Sequence, residues 1–92
     1  MGIKEFEGQK GILRLLVYLY EKGETNYYSI IKESDIYDRV LRLSVEKLRE
    51  LKLIESRTDN STYPPRNMIS LTPKGRKVAE KLKEIEEILE VG

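Results

Sequence analysis

The sequence predicts an α+β fold, mostly helical, in which a three-helix core is followed by a β-hairpin and one long terminal helix. Three observations carry this. Apolar residues recur at helical spacing in three successive segments between Gly11 and Leu51. The pattern then changes to strand-like alternation on both sides of a stretch dense in turn formers, Pro64 and Pro65 among them. Finally, Thr72 and Pro73 open a run of about five turns that carries one apolar stripe.

A chain of 92 residues holds one domain with a modest core, so association with a second copy would add useful burial. Apolar residues make up 39% and charged residues 36%, the balance of a folded chain with a heavily solvated surface. Lys and Glu abound while Cys, His and Trp are absent, a composition of the kind enriched in thermophiles. No run approaches the roughly 18 apolar residues needed to cross a bilayer. The opening MGIKEFEGQKG lacks the basic-then-apolar order of a secretory signal. The expected location is therefore the cytoplasm, without a membrane partner. Without Cys or His there is no disulfide, thiol nucleophile, or thiolate or imidazole metal site. No phosphate-binding glycine loop, nucleophile elbow or paired carboxylates appear either, so no enzyme, catalytic residue, metal or cofactor is expected. The net charge of +1 makes any nucleic-acid reading depend on where the cations sit.

In GILRLLVYLYEKG, Ile12, Leu15, Leu16 and Leu19 form one helical face, and Leu13, Val17 and Tyr20 form a second. A helix apolar on two sides needs two partners, its own core and another surface. Gly23 is a natural stop. TNYYSIIKESD reads as a helix of about two turns, with Thr25 and Asn26 as capping candidates and Ile30 and Ile31 inward. IYDRVLRLSVEKLRELKLI places Leu41, Val45 and Leu48 on one face of a third helix ending near Leu51.

LIESR alternates, TDNSTYPPRN is turn-forming, and MISL returns, so Met68 to Leu71 should pair with Ile54 to Arg57. Thr72 then caps, Pro73 occupies the first helical position, and KGRKVAEKLKEIEEILE continues as a helix. Val78, Leu82, Ile85 and Leu89 form a coiled-coil seam that Ile88 widens.

In this order the chain resembles the winged helix-turn-helix family from about Gly11 to Leu89. VEKLRELKLIESR is similar to the end of that family's recognition helix running into the first wing strand, and ISLTPKGRKVAEKL to its second wing strand running into the last helix. The plan is similar to small prokaryotic, archaeal-like transcriptional regulators of the MarR, ArsR and PadR kind, and to archaeal winged-helix proteins that dimerise through a terminal coiled coil. One departure is Lys52, which stands where the family's turn has glycine. The resemblance implies a winged-helix DNA-binding domain over residues 1–72. Residues 73–92 would be a dimerisation helix within the same compact unit.

If the third helix enters a major groove, its early outward positions, Tyr37, Arg39, Arg42 and Leu43, face base edges. Arg39 and Arg42 are three apart and share a side, and guanidinium groups can bridge guanine O6 and N7. Lys47 and Arg49 lie further along, where phosphate contact fits better. Asp38, Glu46 and Glu50 on the same helix suit a solvated surface with local ion pairs equally well. In this family the wing touches the backbone or minor groove. Here its loop, Thr58 to Asn67, carries Arg66 near the tip and Arg57 at the base, stiffened by Pro64 and Pro65. Tyr27 begins the second helix, which in the family faces the DNA backbone. Tyr27, Tyr28 and Tyr63 could each stack or hydrogen-bond at a phosphate, but Tyr28 is expected to pack, and Tyr27 is open to either role.

About 18 residues of terminal helix span roughly 27 Å, more than a domain this size needs to cover itself. Ile85, Ile88 and Leu89 therefore ask for a partner. The expected dimer surface joins Val78, Leu82, Ile85, Ile88 and Leu89 to Leu13, Val17 and Tyr20. The leading function is a homodimeric regulator of double-stranded DNA. Two alternatives are a weakly specific architectural chromatin protein and a winged-helix module that binds another protein instead of DNA. No residue pattern marks a small-molecule effector site.

Overall fold

The computed structural model describes residues 11–34 and 36–91, with Val91 as backbone only. Its elements are α1 (Ile12–Lys22), β1 (Thr25–Asn26), α2 (Tyr27–Glu33), α3 (Asp38–Glu50), β2 (Ile54–Asp59), β3 (Arg66–Leu71) and α4 (Pro73–Val91). This is the winged-helix arrangement that the sequence predicts, with one strand more.

The additional strand, β1, has two residues, too few for any periodicity to show. Thr25 pairs with Ile69 and Asn26 with Met68, giving an antiparallel sheet of order β1-β3-β2. Asn26 also caps α2, its side chain accepting from Ser29 N at 2.9 Å. β2 and β3 pair from Ile54↔Leu71 through Arg57↔Met68, as expected, and onward to Asp59↔Arg66. The wing tip thereby shortens to residues 60–65. Arg66 sits at the start of a strand instead of on the tip.

Ile12, Leu15, Leu16 and Leu19 of α1 form the centre of the core with Ile30, Leu41, Val45, Leu48, Ile54, Ile69 and Ala79. Ile36, between α2 and α3, joins them without any periodic signal to announce it. Ile31 does not: it is 39% exposed, a correction to its inward placement. On a helical wheel it lies about 100° from the buried Ile30, on the flank of α2.

α3 ends at a turn whose geometry answers the departure at Lys52. Leu53 N donates to Leu48 O at 2.9 Å and Lys52 N to Arg49 O at 3.0 Å, the paired bonds of a Schellman cap. Lys52 takes the left-handed conformation, φ 60°, that glycine usually fills. Thr72 clasps this turn to α4. Its hydroxyl donates to Lys52 O at 2.7 Å and accepts from Gly75 N at 3.0 Å, and Thr72 N donates to Leu53 O at 3.0 Å. Gly75 is buried against the Leu53 backbone.

α4 packs its first half on α1. Val78 and Leu82 are half-buried against the protein's own core, so the seam predicted for association divides. Ile85, Ile88 and Leu89 run on beyond the core and are exposed, Ile88 to 70% and Leu89 to 75%. Lys83 ties the two helices at the surface, bonding Glu21 Oε2 at 2.8 Å, and the ion pairs with Glu21 and Glu86 raise its pKa. Among the described residues no helix is long and apolar enough to cross a membrane.

Candidate nucleic-acid interface

Leu41, Ser44, Val45 and Leu48 bury one face of α3, which forces Tyr37, Arg39, Arg42 and Leu43 outward. Tyr37 is 80% exposed and Leu43 53%, large apolar surfaces that the core does not use. α2 lies alongside, and because Ile30 is its buried residue, Tyr28, about 200° away on the wheel, must point to solvent. Tyr28 is 72% exposed, with Lys32 Nζ 5.9 Å from its ring centroid. The expectation that Tyr28 packs is thus corrected, and the wheel position relative to Ile30 was the signal available for it. Tyr27 is half-buried.

These elements converge on an open cleft of about 600 Å³ lined by Arg42 of α3, Tyr27, Tyr28 and Ser29 of α2, Asn26, and Arg66 and Asn67 of the wing. Three predicted residues, Tyr27, Arg42 and Arg66, therefore meet in one place although up to 39 positions separate them. Asn26, Ser29 and Asn67 join them unannounced, because β1 pairing with β3 is what brings α2 against the wing.

The other candidates stand apart from the cleft. Arg57 turns to Glu24, donating from Nε at 2.9 Å and from Nη2 at 2.8 Å. This hydrogen-bonded pair lowers the Glu24 pKa and raises that of Arg57. Arg49 shares a shallow depression with Glu46 and Glu50 near the far end of α3. Lys47 is half-buried, while Arg39 is exposed on the outer side of α3.

The wing tip is built by Asp59, whose Oδ1 accepts from Ser61 N at 2.9 Å and Ser61 Oγ at 2.6 Å. Those bonds lower the Asp59 pKa. Tyr63, next to the cis Tyr63–Pro64 bond, is 98% exposed at the end of the wing. Of the α1 residues expected at a dimer surface, Leu13 is 42% exposed, and Val17 and Tyr20 are half-buried. Among the described residues no group of acidic side chains could hold a metal ion.

The fold, the outward face of α3 and the wing define a winged helix-turn-helix protein. More narrowly, residues 8–91 match the HxlR-like helix-turn-helix family model, and the chain belongs to that family. An uncharacterized protein of Methanocaldococcus jannaschii is 36% identical over 83 residues, spanning 89% of this chain and 68% of its own length. A MarR-family transcriptional regulator from Enterococcus faecalis is structurally similar, with TM-score 0.72 and 25% identity, over 86% of this chain and 71% of that one. A second MarR-family regulator, from Porphyromonas gingivalis, gives TM-score 0.71 at 25% identity over 91% and 80% of the two chains.

Proposed function

We propose that the protein is a homodimeric transcriptional regulator that inserts the start of α3 into a major groove and lays its wing along the backbone or adjacent minor groove. The observation that carries this reading is the cleft, where a base-reading cation, Arg42, shares one surface with hydroxyl, amide and cationic groups suited to phosphate. Tyr37, Arg39, Arg42 and Leu43 meet base edges. Tyr27, Lys47, Arg49 and Arg66 position the domain on phosphate.

The second copy covers the distal part of α4. Supporting this, the apolar stripe runs from a shallow groove beside Val78 and Leu82 to the exposed Ile85, Ile88 and Leu89. Leu13, Val17 and Tyr20 of α1 extend the same surface. Two recognition helices spaced by about one turn of duplex then read a pseudo-palindromic site.

The test is a fluorescence-anisotropy titration against a random-sequence duplex and the protein's own promoter region at two salt concentrations, repeated with the double variant Arg39→Ala, Arg42→Ala. Salt-sensitive binding that favours the promoter and is weakened in the variant supports the reading. Absence of binding to either duplex at low salt removes it.

A further inference from the structure

Resting on the DNA-binding reading above, we propose that Asp38 is a positioning residue for sequence recognition, holding Arg42 by its Nε so that the outer edge of the guanidinium meets a guanine. Asp38 occupies the first turn of α3 and Arg42 the next turn, on the side that borders the cleft. The Arg42 Nε lies 3.2 Å from Asp38 Oδ1 and 3.1 Å from Oδ2, so both carboxylate oxygens converge on a single donor. Among the described residues no bond forms to Nη1 or Nη2. The contrast with Arg57 is informative, since Glu24 there takes Nε and Nη2 together and occupies one whole edge of the fork. Arg57 is held at two nitrogens, Arg42 at one.

The two outer nitrogens of Arg42 present parallel N–H donors. Guanine offers two neighbouring acceptors in the major groove, N7 and O6, whereas adenine sets a donor beside its N7. A guanidinium held by Nε and offered end-on therefore selects guanine. In water the exposed Asp38–Arg42 pair is weak. Once the groove displaces water the same pair strengthens, so the orientation takes hold where the reading happens. Asp38 also repels phosphate, which disfavours non-specific docking and raises the ratio of specific to non-specific affinity.

Binding-site selection from a library of randomised duplexes, followed by sequencing, tests this with the wild type, Asp38→Asn and Arg42→Lys, alongside anisotropy on an unselected random duplex. The wild type is expected to enrich sites with a fixed guanine. Arg42→Lys should abolish that preference, and Asp38→Asn should weaken it about tenfold while affinity for the random duplex holds or rises. An unchanged preference at every position in Asp38→Asn overturns the proposal, as does an equal loss of affinity for selected and random duplexes. If the wild type binds no duplex at low salt, the DNA-binding reading itself falls and this proposal with it, an outcome distinct from the other two.

Discussion

Gly75 lies so close to the Leu53 carbonyl that a Cβ at that position would sit 1.8 Å from the oxygen. The contact seats the first turn of α4 on the turn that leaves α3, and the Thr72 hydroxyl bonds both sides of the joint. Because the obstacle is backbone, Gly75→Ala has no flexible side chain to push aside. Its expected cost is at or above the upper end of the roughly 1–3 kcal/mol typical of overpacking, read from urea unfolding. An unchanged midpoint would contradict the contact.

Lys52 holds the opposite relation to its neighbours. Its side chain is exposed and its φ of 60° carries the left-handed penalty that glycine avoids. Lys52→Gly relieves that strain and frees the unfolded chain, with a net gain of about 0.5–1 kcal/mol. Calorimetry should show Tm rising by about 2–8 °C for a domain of this size. A fall in Tm would mean that the Lys side chain contributes something the backbone argument omits.

Tyr18 links α1 to α2, donating to Glu33 Oε1 at 2.8 Å, while Lys22 pairs with the same carboxylate at 3.0 Å. Burial, then the bond to Glu33 and its charge, pushes the Tyr18 phenol up to about 12. The Glu33 carboxyl is held below its usual range, first by Lys22 and then by Tyr18. The lowered Glu33 carboxyl contributes stability that is present above about pH 4.3 and is lost as pH falls through its folded value. The raised phenol acts at the other end: its contribution is complete below about pH 10 and disappears as pH rises toward 12. Unfolding midpoints measured between pH 10 and 11.5 should therefore fall less steeply in Tyr18→Phe than in the wild type. Parallel slopes would show that Tyr18 keeps an ordinary pKa in the folded state.

Arg57 is engaged by Glu24, so its charge is already answered within the protein. Glu24→Gln should release it toward phosphate, raising affinity for a random duplex and steepening log K against log salt by about 0.9. Arg57→Ala should change that slope little. A large loss of slope in Arg57→Ala would show that the pair opens on DNA.

The exposed end of α4 gives the test of association. Ile85 and Ile88 lie outside the core, so the double variant Ile85→Glu, Ile88→Glu should keep its helical circular dichroism while sedimentation shifts from dimer to monomer. A wild type that itself sediments as a monomer would remove the dimer, and a variant that remains dimeric would place the dimer surface elsewhere.

Periodicity, together with the caps and turn formers that punctuate it, was enough to locate the four helices and the wing. Each helix carries apolar residues at helical spacing, as Leu41, Val45 and Leu48 do, and the wing strands bring Ile54 against Leu71 at the core end of the hairpin. The cap at Asn26, the start at Thr72 and Pro73, and the stop at Gly23 were legible because each is local: Asn26 and Thr72 bond the nearest backbone N–H groups through their side chains, and Gly23 takes a positive φ while its own N–H bonds Leu19 O. Tertiary structure decided the rest. The pairing of Thr25 with Ile69 carries no local signal, yet it draws Tyr27 and Tyr28 to Arg66 and so forms the cleft. Likewise, nothing near Arg57 in sequence names Glu24, 33 positions away, as the group that takes its charge. A helix or strand is specified by its neighbours in the chain, but the free or occupied state of an exposed arginine depends on which distant carboxylate the fold brings within reach.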